Sequence, residues 1–348
     1  MRILITGGAG FIGCNTAKKF HEWGHEVVIL DNLSRPGSRE NLKWLGDDVA
    51  QLDFICADVT DAPKVAEVIT RGKFNAVIHL AGQVAVTTSV VEPRHDFEVN
   101  TGGTFNMLEA VRLHSPDTAF IYSSTNKVYG GLTGLRIRAL EKRYEFEDYP
   151  FGISENQPLD FHSPYGCSKG ASDSYVVDYA RIYGLRTMSL RQSCIYGCRQ
   201  FGVEDQGWLA WFAIAHLLGR PLTLYGDGRQ VRDVLFVDDL ADCYRKALSV
   251  LDDHKCPGGR AFNIGGGPKN TLSLLECLEM LGELSRHRVD LSFAEMRPGD
   301  QKVYVSDIRA AATSLGWAPQ TAVLDGMKRL VDWITANIDT FRNFYCNS

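Results

Sequence analysis

Apolar side chains recur along this chain in short unbroken runs, separated by stretches of helical period. Arg2 to Thr6 forms one such run. It leads into Thr6-Gly7-Gly8-Ala9-Gly10-Phe11-Ile12-Gly13, and a helical pattern then continues through Phe20 and Trp23 to a stop at Gly24. A second run, Glu26 to Leu30, ends at Asp31. The alternation continues with a strand over Phe54–Asp58, a helix over Ala62–Thr70 and a strand over Ala76–Ala81. A long helical stretch around Phe97 to Leu113 leads into a strand over Ala119–Ser124. Regular alternation with continuous apolar strands predicts an α/β fold, a Rossmann-type doubly wound parallel sheet with helices on both faces.

Ser163 and Pro164 predict the start of a helix that runs through Tyr183, followed by a strand over Thr187–Ser193. Beyond Arg199 the alternation loosens. Short strands (Leu222–Tyr225, Asp290–Phe293) and helices (Trp208–Leu218, Leu272–Leu284, Val323–Ala336) predict a smaller α+β substrate-binding portion. Residues 1–190 are expected to form the Rossmann domain and 191–348 mainly the second portion, with the helix at Val237, within 231–250, returning to the first. Residues 130–161 are rich in charged and turn-forming residues and too long for an ordinary connection. Lying between Thr125 and Tyr165, they are expected to form a surface excursion near the site, as a lid or a subunit contact; a solvated insertion without a role is the alternative.

Composition narrows the function classes. The chain has 348 residues, 45% of them hydrophobic, enough for a large core. A net charge of -5 and a pI near 6.0 lack the footprint of a nucleic-acid binder. There is no run of eighteen apolar residues, so no membrane association is expected. Met1 leads directly into Ile3-Leu4-Ile5 with no charged leader, which gives the expectation of a cytoplasmic protein. Nine cysteines without a Cys-x-x-Cys pair argue against a metal site or a disulfide frame.

The glycine turn between strand and helix lets backbone approach a pyrophosphate, with the helix amino terminus presenting free N–H groups to the anion. Asp31, about twenty residues on, suits the adenosine ribose hydroxyls and repels a 2'-phosphate, favouring NAD over NADP, although Arg35 lies close enough to blur that preference. Ligands of such sheets bind beyond the carboxyl ends of the strands, which brings out Asp58, Ala81, Gly82, Gln83, Ser123, Ser124 and Thr125. Asp58 has a second reading as a helix cap, and His79 reads as a core residue. Tyr165 and Lys169 are four apart on one helical face. A free phenol titrates near ~10, so a nearby ammonium is expected to favour the Tyr165 phenolate. The spacing alone also arises by chance on exposed helices.

Thr6 to Gly13, Asp31, Asp58, His79-Leu80-Ala81, Ser123-Ser124-Thr125 and Tyr165 to Lys169, in that order, resemble the extended short-chain dehydrogenase/reductases that modify nucleotide sugars, over nearly the whole length. The resemblance implies Thr125, Tyr165 and Lys169 as the catalytic group. It implies NAD contacts at Gly7, Gly10, Phe11, Ile12, Asp31, Asn32, Ser34, Arg35, Asp58, Val59, Leu80, Ala81, Gln83, Ser123, Tyr165, Lys169 and Ser193. The stretches Gly226–Val234 and Arg297-Pro298-Gly299-Asp300 look like substrate segments of that family, and the substrate set it implies is Gln83, Thr125, Asn126, Gln206, Gln230, Arg232, Arg297 and Asp300. Guanidinium groups suit a diphosphate because they stay charged and bond two oxygens at once.

The runs Asn32–Leu42, Ser123–Gly130, Leu159–Gly170, Arg199–Phe201 and Asp205–Trp208 are similar to the branch that inverts C2 of CDP-activated hexoses. That likeness implies a CDP-sugar substrate, a transient 2-keto sugar, Tyr165 as base and acid, and a homodimer or homotetramer. Related 4,6-dehydratases carry Asp-Glu directly after the Thr, where this chain has Asn126 and Lys127, so elimination lacks its acid and base. A UDP-sugar 4-epimerase using the same three residues, or a non-catalytic NAD-binding regulator, are the competing readings. Cys198 stands where relatives often have proline or glycine, which puts the local loop shape in question.

Overall fold

The computed structural model describes residues 1–49, 52–253, 258–285, 290–297 and 300–346. Pro298 and Gly299 of the Arg297–Asp300 motif lie outside the described residues. The central sheet has seven strands: β1 (Arg2–Thr6), β2 (Glu26–Asp31), β3 (Asp53–Cys56), β4 (Ala76–His79), β5 (Ala119–Thr125), β6 (Thr187–Gln192) and β7 (Arg260–Ile264). All pair in parallel, in the order β7-β6-β5-β4-β1-β2-β3. The chain therefore begins mid-sheet, runs outward to β3 and crosses back to β4. That reversal opens a crevice beyond the carboxyl ends of β1 and β4.

Alternation along each strand supplies both covering layers. Ile3, Ile5, Ile29, Ile78 and Ile121 pack on one face with Phe20 of the helix Phe11–Glu22 and Leu240, Tyr244 and Ala247 of the helix Val237–Asp252. Leu4, Val28, Leu30, Val77 and Phe120 pack on the other with Val65, Leu108 and Val176, from three further helices. His79 is fully buried between the hydroxyls of Thr6 (2.7 Å) and Thr104 (3.1 Å). Burial pushes its pKa down to about 3, so it is a neutral core residue at physiological pH.

The long helical stretch is broken in the structure. Pro93–Phe97 and Gly103–His114 are α-helical, and Glu98–Gly102 between them widens into a π-helical turn. The pattern over Leu272–Leu284 divides too, because Thr271–Ser273 pairs with Val231–Asp233 before the helix Leu274–Ser285 begins. Ser273 Oγ accepts from Glu276 N (3.1 Å) and Glu276 answers to Ser273 N (2.8 Å), a capping box that fixes the break. β7 arises from a stretch with no strand expectation. Five residues carry little signal alone, and their pairing partner, Met188–Gln192, lies some seventy residues earlier.

A second, smaller sheet centres on Val231–Phe236, flanked by Cys194–Tyr196, Thr271–Ser273 and Val303–Tyr304, so within 231–250 it is the helix from Val237 that packs on the central sheet. The core around the smaller sheet includes Tyr196, Phe212, Met327, Leu330 and Phe341. Within 130–161 a hairpin forms, Ile137–Ala139 with Tyr144–Phe146. Its apolar residues Ile137, Tyr144 and Phe146 pack on Val231, Val303 and Val305. Ile153 bridges to Ser306, and Tyr144 donates to Asp227 (2.6 Å). The hairpin is thus an intramolecular cover for that smaller sheet, not a free solvated insertion. Among the described residues no helix is long and apolar enough to cross a membrane.

Candidate active site

The glycine turn sits at the crevice. Gly7 has φ +67, and a Cβ there would lie 2.8 Å from Ala81 N, so only a bare residue fits between β1 and the chain leaving β4. At Gly13 a Cβ would meet Gly7 O at 2.1 Å, which is why the first helical turn can close against the loop. Phe11 and Ile12 open the helix beside this cradle. Asp31 ends β2 below it and is buried: one carboxylate oxygen accepts from Ala9 N (3.0 Å), the other from Leu33 N (2.8 Å). Burial raises its pKa, with those N–H groups and the Arg35 charge opposing.

Asp58 accepts from Thr60 N (2.8 Å), Thr60 Oγ1 (2.7 Å) and Asn32 Nδ2 (2.7 Å), and Ser34 N donates to Asn32 Oδ1 (3.0 Å). The cap of the following helix is Asp61, which accepts from Lys64 N (3.0 Å). Val59 is buried beside Gly103, and Leu80, Ala81 and Ser123 line the strand ends, partly accessible. This bare-backbone cradle with an acid at the end of β2 fits an adenosine diphosphate moiety.

Thr125, Tyr165 and Lys169 meet at the end of β5, at most 8% exposed. Ser163 Oγ accepts from Gly166 N (3.0 Å), and Pro164 starts the helix Pro164–Tyr183, so the local signal fixes where Tyr165 projects. Burial pushes the Tyr165 phenol up to about 12, while a hydrogen bond with Thr125 and the Arg35 charge pull it down. Lys169 is itself pushed down to about 7 by burial, against the carboxylates of Asp173 and Asp96. Its Nζ donates to Ser123 O (2.5 Å) and lies 4.3 Å from the centre of the Tyr122 ring. Arg35, expected beside the cofactor, thus also favours the phenolate of Tyr165.

Three residues that the sequence reading passed over complete the site floor. Asn100, on the π-helical turn, donates to Gln83 O (3.0 Å), Asp96 (3.1 Å) and Ser168 Oγ (3.1 Å), and accepts from Gln83 N (2.9 Å). Ser168 donates to Asp96 (2.5 Å). An amide inside an apolar helix was the available signal for Asn100. Gln83 spends its side-chain amide on Ala85, donating to its carbonyl (2.8 Å) and accepting from its N–H, so this side chain shapes its own loop. Ser193, just past the carboxyl end of β6, donates to Asp233 (2.5 Å).

Asn126 is buried beside Thr125, its Oδ1 3.4 Å from the Thr125 hydroxyl. Arg232 donates to Asp300 Oδ1 (2.5 Å) and to its own neighbour Val231 O (2.8 Å). Arg297 pairs with Asp205 (2.9 Å) and stacks 3.8 Å from the centre of the Tyr225 ring. Gln206 accepts from Arg35, and Gln230 donates to Tyr225 O while its own Oε1 is buried without a partner. The 203–206 loop is therefore tied to Arg35 on one side and Arg297 on the other. Asn15 donates to Cys198 O (3.0 Å) and Asn41 to Arg199 O (3.3 Å), holding a turn in which Arg199 takes φ +68.

Residues 4–330 match the GDP-mannose 4,6 dehydratase family. The chain belongs to that family. CDP-paratose 2-epimerase of Salmonella typhi is 43% identical over 97% of this chain and 100% of its own. The structure of Thermotoga maritima UDP-glucose 4-epimerase with UDP-glucose superposes with a TM-score of 0.83 at 30% identity, covering 97% of this chain and 100% of the other. The Thermus thermophilus UDP-glucose 4-epimerase complex with NAD gives 0.81 at 31% identity over 96% and 99%. The resemblance to extended nucleotide-sugar enzymes drawn from the motifs thus holds across the chain.

Proposed function

We propose that this member of the GDP-mannose 4,6 dehydratase family is an NAD-dependent epimerase that inverts C2 of a CDP-activated hexose through a transient 2-keto sugar. The full-length 43% identity to a CDP-paratose 2-epimerase carries the reading. Thr125, Tyr165 and Lys169, gathered at the crevice, support it. NAD, when bound on the Gly7–Gly13 cradle beside Asp31, supplies the acceptor and donor of the C2 hydrogen. Tyr165, as phenolate, removes the C2 hydroxyl proton and later returns it. Thr125 hydrogen-bonds the same oxygen and steadies its developing charge. Lys169 sets the charge around Tyr165 and the nicotinamide ribose. Arg232 and Arg297 hold the diphosphate, exchanging part of their present pairing with Asp300 and Asp205 for phosphate oxygens. Although the family carries a dehydratase's name, Asn126 and Lys127 offer no carboxyl acid or base for water loss.

A UDP-sugar 4-epimerase reading is favoured by the similarity to the Thermotoga and Thermus enzymes. Product NMR with CDP- and UDP-hexoses in heavy water decides between them. The expected result is inversion at C2 of the CDP-sugar without deuterium at that carbon. Inversion at C4 alone, or solvent deuterium at the inverted carbon, would remove the proposal.

A homodimer belongs to the same reading. Val91, Phe97, Phe105, Leu113, Ile182 and Tyr183 are 42–80% exposed on the helices before Ser115 and after Pro164. Phe105 packs edge-on against Tyr175, which joins the two helices into one apolar face suited to a second copy. Sedimentation velocity returning a monomer mass at micromolar concentration would exclude it. A cytoplasmic site of action fits the free thiols of Cys14, Cys56, Cys167, Cys194, Cys198, Cys243 and Cys277.

A further inference from the structure

We propose that Lys127 holds the sugar-linked phosphate of the substrate beside the reacting carbon, and so selects C2 for inversion in preference to C4. This rests on the nucleotide-diphosphate-hexose reading above. Lys127 lies in the short 3-10 turn Asn126–Tyr129 that follows Thr125 directly. Its N–H donates to the Thr125 hydroxyl (3.2 Å), and its carbonyl oxygen is 3.2 Å from where a Cβ on Gly166 would stand. The backbone of Lys127 is therefore fixed against both the hydroxyl that meets the reacting oxygen and the helix turn that carries Tyr165.

The side chain is placed as firmly. Nζ stands 3.4 Å from Asp300 Oδ1, the same oxygen that takes Arg232 Nη2 at 2.5 Å. One carboxylate serving two cations leaves a surplus positive charge, and an ammonium has two further N–H bonds beyond the one aimed at Asp300. Burial lowers the Lys127 pKa, with Asp300 opposing and Arg232 reinforcing, so an added anion relieves a strained charge balance. Burial alone would raise the Asp300 carboxyl, but Arg232 and then Lys127 outweigh it and hold it at about 2. Asp300 therefore stays ionised and keeps Lys127 aimed.

The geometry of a nucleotide sugar supplies the selectivity. Its diphosphate is esterified at C1, next to C2 and across the ring from C4. Presenting C2 to Tyr165 and Thr125 brings the phosphate close to those two residues; presenting C4 carries it away. A cation two residues beyond Thr125 therefore rewards the C2 pose with a charge-assisted contact that the C4 pose lacks.

The test uses the full-length protein and its K127M, K127R and K127M/D300N variants, each checked by thermal melt. Calorimetry with CDP and CMP separates the phosphates, because only CDP carries the one equivalent to the sugar-linked group. K127M is expected to weaken CDP about 10- to 100-fold and CMP less than about 2-fold, the range of one charged hydrogen bond. K127R should recover part of the loss, and K127M should raise KM for the CDP-hexose and lower the share of C2 product. A folded K127M that binds CDP as the wild type does overturns the proposal. So does full recovery in K127M/D300N, which would reduce Lys127 to neutralising Asp300. If the wild-type chain fails to invert C2, the functional reading falls, while the CDP and CMP comparison still judges the phosphate contact.

Discussion

Tyr165→Phe is expected to lower kcat by about 10³-fold, within the range lost when a positioned general base is removed, with NAD and CDP affinity changed less than about 3-fold. The ring keeps its volume in a site where Tyr165 is 8% exposed, so packing survives and only the hydroxyl shared with Thr125 is lost. The sign of the pH effect follows from the burial that pushes this phenol up to about 12. A raised pKa keeps the group protonated at neutral pH, so proton removal strengthens as pH rises. A positively charged nicotinamide in the crevice, added to Arg35 and the Thr125 hydrogen bond, would move ionisation to lower pH. Difference absorbance at the tyrosinate band, wild type minus Y165F, should be flat up to about pH 10 in NAD-free protein and should rise at lower pH with saturating NAD. A Y165F enzyme with more than a tenth of wild-type kcat would mean that another group takes the proton.

Asp173→Ala is expected to destabilise the fold by about 3–5 kcal/mol, the cost of leaving a buried charge without its partner. Asp173 is 1% exposed one turn beyond Lys169, and its carboxylate takes Arg191 at 2.7 and 3.2 Å and the Ser189 hydroxyl. Arg191 continues to Tyr129 (3.0 Å), Tyr129 to Asn263 (2.7 Å), and Asn263 to Ile153 O (2.8 Å). One polar chain thus ties the Tyr165 helix through β6 and β7 to the excursion. Urea unfolding is the measurement, with the midpoint falling and the slope unchanged. The double replacement D173L/R191M should recover much of the loss, because neither charge is then stranded. A single-variant loss under about 1 kcal/mol would show that water reaches Arg191.

Much of the architecture was legible because it is written in near neighbours. Gly7 and Gly13 are required within one turn, Ser163 and Pro164 start a helix just ahead of Tyr165 and Lys169, and apolar runs from β1 to β6 declare strands buried on both faces. The π-helical turn at Glu98–Gly102 was not, since its sequence continues a helical period and the widening serves Asn100, whose partners Gln83 and Ser168 lie 17 and 68 residues away. β7 escaped for the same reason, and Ser193 gave a hydroxyl without revealing that Asp233 would claim it.

By itself, the sequence determined the doubly wound sheet, the cradle with Asp31 at its edge and the spacing that stacks Tyr165 over Lys169, because each depends on backbone geometry over a few residues. Only the tertiary structure decided which partner each charged side chain takes: Arg35 on Gln206, Arg297 on Asp205, and Lys127 with Arg232 on a single oxygen of Asp300. Those partners are separated by 68 to 173 residues. Long flexible side chains take their direction from whatever the returning chain places within reach, and no local pattern encodes that meeting.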